Sequence, residues 1–177
     1  MKNRIGLILM LLAFKTSSFA QVKEKELSNA EIFSAKAGTL IQREVLDIGA
    51  VNKASIQVLH LTDLISNQKI SAIRFQMVVM ELNSPDIKSA SLDSDEIDGL
   101  IKSIRLIQEN IFTSTPSNYT EVTYRSRGGF QAGCYWSKNQ WSTYLKLEMF
   151  NNKTYVNLKK DDFEILLDLL ENAKKLM

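Results

Sequence analysis

The two residues best suited to nucleophilic or general-base chemistry near neutral pH each occur once: Cys134 and His60. A thiol enzyme needs them within hydrogen-bond reach and needs its thiolate stabilised by a positive neighbour. The stretch Gln131-Ala132-Gly133-Cys134-Tyr135-Trp136 reads as a packed strand rather than a helix start, so Cys134 is expected to be a small buried hydrophobe. His60 falls in a strand of the other half of the chain and reads as a hydrogen-bonded strand histidine. A serine triad would also have to draw on His60, and no Gly-x-Ser-x-Gly elbow occurs. One Cys and one His do not make a zinc site. The acidic run Asp93-Ser94-Asp95-Glu96 has carboxylates for calcium but lacks the loop glycine and distal bidentate Glu of an EF-hand. Acids gathered at a helix start account for it, and for Asp161-Asp162 as well. Gly128-Gly129 lies between two strand patterns and reads as a hairpin turn, not a phosphate loop. No cofactor and no metal are implied.

Aromatic placement is the more informative signal. Tyr119, Tyr124, Phe130, Tyr135, Trp136, Trp141, Tyr144, Phe150 and Tyr155 all lie between Asn118 and Asn157. Strand alternation sorts them. Val122, Tyr124, Cys134, Trp136, Trp141, Thr143, Leu145, Leu147, Val156 and Leu158 fit an apolar face beneath the last helix. Tyr119, Glu121, Thr123, Arg125, Arg127, Gln131, Tyr135, Tyr144, Lys146, Glu148 and Tyr155 fit the opposite face. Tyrosines beside Arg and Lys on an open sheet can grip a glycan, a peptide or another subunit. The candidate ligand-binding set is therefore Tyr119, Arg125, Arg127, Tyr135, Tyr144 and Tyr155. Tyrosines also make good cross-strand pairs on any half-exposed sheet, which gives the same pattern.

The elements that must carry these residues are strands and two helices. Residues 21–32 read as a flexible or loosely helical lead-in. Strand patterns follow over 39–48, 54–63 and 69–81, the last being richest in β-branched and aromatic residues. Asn83-Ser84-Pro85-Asp86 reads as a turn, followed by a short strand over 87–92. Asp93 and Glu96 have capping-box spacing, and Ile97, Leu100, Ile101, Ile104, Ile107 and Ile111 recur at the helical period. After a break at 113–118, strands are expected over 119–127, 130–137, 141–150 and 154–158. A closing helix over 161–175 has acids in its first turn and Lys174 and Lys175 in its last.

The two strand-to-helix passages align without a gap. Leu92 meets Leu158, Ile97 meets Phe163, Leu100 meets Leu166 and Ile104 meets Leu170. An internal duplication of a strands-then-helix unit is expected, with halves at about 33–112 and 117–177 within one domain. The fold class is α+β: antiparallel meanders, each closed by a helix. This layout is similar to that of the Whirly and PUR-type single-strand-binding folds. The resemblance is one of architecture and supplies no site residues.

Export is the expected fate of the chain. Lys2 and Arg4 precede an apolar run over Ile5 to Phe14, and Ser18-Phe19-Ala20 supplies a small-x-small cleavage step. Residues 1–20 thus read as a signal peptide, with the mature protein periplasmic or secreted. Together with a composition rich in Lys, Asn and Ile, that leader resembles the small exported proteins of unknown function of Bacteroidetes-type Gram-negative bacteria. The formal charge is +2, and removing Lys2, Arg4 and Lys15 with a leader that has no acid brings it to −1. A near-neutral exported chain argues against a nucleic-acid partner. The expected function is a non-catalytic binding or interaction module using an open sheet face. An envelope protein, a peptide or a glycan is its expected partner. An envelope enzyme with an unrecognised site and a single-strand nucleic-acid binder are the alternatives.

Overall fold

In a computed structural model of the chain, residues 26–177 are described. The expected leader and the first residues of the lead-in lie outside them. Four strands, β1 (Ile41–Val51), β2 (Ala54–Asp63), β3 (Lys69–Glu81) and β4 (Ser84–Asp93), form an antiparallel sheet in sequence order. Helix α2 (Ser94–Leu106) follows directly, after the short α1 (Asn29–Ser34) that opens the described chain. The second half repeats the plan. Strands β5 (Thr120–Arg125), β6 (Gln131–Ser137), β7 (Gln140–Lys146) and β8 (Tyr155–Leu158) pair in order and antiparallel, and α3 (Lys160–Lys175) closes it. The protein is α+β, with each meander followed by a helix, as its alternating and helical periods predict.

Two-residue turns set the register. Leu82 and Asn83 both have positive φ, 44° and 71°, as do Lys138 and Asn139 at 53° and 60°. Such pairs match the right-handed twist of the strands they join. The first of these corrects the turn expected at Asn83-Ser84-Pro85-Asp86. The turn is two residues earlier, Ser84 pairs with Glu81, and Pro85 sits in β4 opposite Met80. Pro is tolerated there because β4 is an edge strand.

One apolar core joins both sheets and both long helices. The residues aligned between the halves do the same work: Leu92, Ile97, Leu100, Ile104, Phe163, Leu166 and Leu170 are all fully buried, and Leu158 nearly so. The halves also cross over one another. Helix α3 lies so close to β1 that a Cβ on Gly49 would fall 2.7 Å from Leu169 Cδ2. The Phe75 ring of β3 stacks on Phe130, just before β6, with centroids 4.5 Å apart. Helix α2 continues into a π-helical turn at Ile107–Ile111. No helix among the described residues is long and apolar enough to cross a membrane.

The lead-in is more ordered than its composition suggests. Ser28 caps α1 through a reciprocal box with Glu31, and the Asp93 carboxylate accepts from the Asn29 and Ala30 amides at 2.7 and 3.0 Å. A buried acid at the end of β4 thus ties α1 to the first sheet, where Ala30 and Phe33 pack on Leu61, Ala72 and Ile70.

Candidate functional site: the outer face of the second sheet

Register places Thr123, Gly133, Tyr144 and Asn157 in one row across β5 to β8. Alternation then puts Tyr119, Glu121, Arg125, Gln131, Tyr135, Lys146 and Tyr155 on the same side. Trp136 and Trp141, 5.5 Å apart, face inward with Cys134 and Leu145. The sorting of residues expected from the sequence therefore holds within the strands.

A tyrosine cluster covers the outer face. The Tyr144 hydroxyl lies 2.7 Å from Thr123 Oγ1 and donates to Glu121 Oε1 at 2.6 Å. Its side chain starts on β7 and ends on β5, so it crosses β6 at Gly133, where no side chain intervenes. Gly133 also admits close backbone approach, since a Cβ there would sit 2.3 Å from the Val122 carbonyl oxygen. Tyr155 stacks on Tyr144 with centroids 5.0 Å apart and rings 16° from parallel. Tyr135 lies 6.4 Å from Tyr144, and Tyr119 lies 6.3 Å from Tyr135 and donates to Glu121 Oε2 at 3.2 Å. Every one of these partners belongs to the second sheet.

Exposure divides the cluster. Tyr119 is 66% exposed, Tyr135 and Tyr155 are half-buried, and Tyr144 is only 3% exposed. Tyr144 therefore supports the face and does not offer its ring to a ligand, which corrects its place in the candidate set. Burial, then the bond to Glu121, pushes its phenol well above the ordinary range, and burial with the neighbouring Tyr135 and Tyr144 does the same for Tyr155. These phenols stay neutral and act as hydrogen-bonding and packing groups. Arg125 is exposed on this face, and the Gln131 side-chain oxygen accepts from its Nε and Nη2 at 3.2 Å each, in the amide orientation that satisfies both residues.

Arg127 is not on the face. Strand β5 ends at Arg125, and the chain turns at Ser126–Gly129, with the Gly129 amide donating to the Ser126 carbonyl at 3.1 Å. Alternation stops there, and the Arg127 side chain swings to the start of α2. Its guanidinium donates to both Asp95 oxygens at 3.0 and 2.9 Å and lies 3.3 Å from Asp93, while its backbone amide donates to Glu96 at 2.6 Å. Asp93, Asp95 and Glu96 do come together, with ligand-type oxygens within 4.8 Å of one another. Arg127 and the α1 amides are their partners, which accounts for the cluster as a structural joint.

Glu121 and Gly133 shape this face, and the candidate set omits them. Glu121 had a signal, being two residues from Tyr119 on one strand and opposite Tyr135 on the next. Gly133 had none, since only the register of three strands shows what passes over it.

The remaining chemistry-bearing residues are separated. Cys134 is fully buried, and burial, with Glu121 second, pushes its thiol up to about 12. A thiol so placed is neutral and shielded. Native Cys134 is expected to react with a thiol reagent only as fast as the protein opens, and Cys134→Ser to cost ~1–2 kcal/mol. Rapid native alkylation followed by mass spectrometry would contradict this. His60, in the first sheet, bonds through Nδ1 to Ser71 Oγ at 2.9 Å.

No family model, no curated protein and no solved structure matches this chain. What fold and site define on their own is a class of architecture: a two-meander α+β protein whose core takes one face of the second sheet and leaves a tyrosine-clad face to solvent.

Proposed function

We propose that the protein is exported and that the outer face of its second sheet is a non-catalytic binding surface for a peptide, a glycan or another envelope protein. The observation that carries this function is the openness of that face. Tyr119, Glu121, Thr123 and Arg125 are exposed, and no helix and no strand of the first sheet supplies a partner to them among the described residues. Tyr119, Tyr135 and Tyr155 are held in place by one another and by buried Tyr144. Little side-chain freedom is then lost on binding, the usual advantage of rigid aromatic contacts.

Array screening against peptides and envelope glycans tests the proposal. Tyr119→Ala or Arg125→Ala is expected to weaken a ligand found this way by ~1–2 kcal/mol, roughly 5- to 30-fold, with little change in melting temperature. Tyr144→Ala is expected to lower the melting temperature as well. Binding unaffected by either exposed substitution would place the ligand elsewhere. Export has its own test: the mature protein is expected to begin at Gln21, and N-terminal mass analysis that finds Leu7 to Leu12 retained would refute it.

A further inference from the structure

The core-facing side of the first sheet carries a polar row. Val58 and Ile73 are paired and fully buried, yet two residues further along the same side His60 pairs with Ser71, and Glu44 of β1 stands directly opposite His60. A carboxylate, an imidazole and a hydroxyl thus occupy adjacent strands in that order. The row lies where the helices stop. A cavity of about 730 Å³ opens over it between Ser94, at the start of α2, and Met177, beyond the end of α3. Its wall includes Glu44, His60, Ser71, Lys69 and Asn29. None of the three row residues serves the core: His60 and Ser71 are half-buried, and Glu44 is exposed.

We propose that Ser71 and His60 form an acyl-transfer site that hydrolyses carboxylic esters with small polar acyl groups. With the imidazole proton on Nε2, Nδ1 accepts the Ser71 proton across the 2.9 Å contact. The alternative acceptor for that proton, the main-chain oxygen of Met177, is further away at 3.3 Å. Ser71 Oγ attacks the ester carbonyl carbon and its proton passes to Nδ1. The tetrahedral intermediate then breaks the bond to the leaving alkoxide oxygen, which takes the proton from the imidazolium as it departs as an alcohol. Water, deprotonated by the same nitrogen, attacks the acyl-serine and releases the carboxylic acid, restoring Ser71 and neutral His60. Lys69 lines the same cavity, and its ammonium is the group that offsets the charge the carbonyl oxygen gains. Glu44 is a positioning residue, the acid nearest His60 by register, and favours the imidazolium that forms during the reaction. The polar wall, with an ammonium at one side, suits a small polar acyl group better than a fatty one.

The site is separate from the tyrosine face, so the two readings fail independently. The test exposes the purified protein to a fluorophosphonate probe and, separately, to p-nitrophenyl acetate. Wild type is expected to be labelled at Ser71, mapped by tandem mass spectrometry, and to hydrolyse the ester. Ser71→Ala is expected to abolish both, and His60→Gln to slow both by ~100-fold or more. Glu44→Gln is expected to lower turnover while Glu44→Asp restores part of it, which a purely structural role would not do. Ser71→Cys guards against misfolding: its thiol is expected to alkylate with iodoacetamide faster with His60 present than in the His60→Gln background. Absence of labelling, labelling that persists in Ser71→Ala, or alkylation indifferent to His60 would each overturn the proposal.

Discussion

Asp93→Ala is expected to destabilise the protein by ~2–4 kcal/mol, because it removes a buried acceptor and leaves its partners unpaired. One carboxylate there serves three elements. It accepts the Asn29 and Ala30 amides, lies 3.3 Å from the Arg127 guanidinium, and ends β4 at the cap position of α2. Asp93 is 4% exposed, so water does not replace those bonds in the folded state. Loss of the carboxylate should free α1 before the rest of the fold. Amide exchange is therefore expected to accelerate at residues 28–34 while β2 and β3 stay protected. Urea titration gives the size of the effect, and an unchanged midpoint with protected 28–34 amides would mean that α1 is held by its apolar contacts alone.

Phe130→Ala is the second large effect, at ~3–5 kcal/mol, the usual cost of emptying a fully buried aromatic site. Phe130 and its stacking partner Phe75 are both fully buried, and they belong to different halves of the chain. The lost contact is thus one that locks the second sheet to the first. Phe130→Leu, which keeps most of the volume, is expected to cost under ~1.5 kcal/mol. Calorimetry should show a single transition in wild type and in Phe130→Leu. If Phe130→Ala melts like wild type, the halves are joined elsewhere.

Much of this architecture was legible because period reports burial directly. Alternation sorted Cys134, Trp136, Trp141 and Leu145 from Tyr119, Tyr135 and Tyr155, since a strand with one covered face must alternate. Helical spacing found α2 and α3, and the gapless alignment of their starts matches residues that are all buried at the same stage of the two meanders. Turn chemistry was harder. Asn83-Ser84-Pro85-Asp86 is rich in turn formers, but Leu82 and Asn83 take the two left-handed positions and the strand resumes at Ser84. Composition weighed too heavily there, and the demand of a two-residue hairpin for two positive φ angles decided the outcome.

The site divided along the same line. Arg125 lies on the face because it ends β5, whereas Arg127 is beyond the strand and follows the turn to Asp95. A local pattern cannot count past the end of its element. Tyr144 illustrates a second limit: alternation gave its side of the sheet but not its depth, which depends on Gly133 beneath it and Tyr155 over it. The Asp93 tie to α1 and the Ser71–His60 contact join residues 64 and 11 positions apart; the packing of α1 on the first sheet makes the one and strand pairing the other.

The most direct test of the binding face is site-specific photo-crosslinking. A benzophenone amino acid placed at Tyr119 or Tyr155, and as a control at exposed Asp168 on α3, is irradiated in the intact producing cells. Discrete adducts at Tyr119 and Tyr155, lost on adding Arg125→Ala and absent at Asp168, are the predicted result. Adducts that form at Asp168 alone, or equally at all three positions, would contradict a binding face on the second sheet.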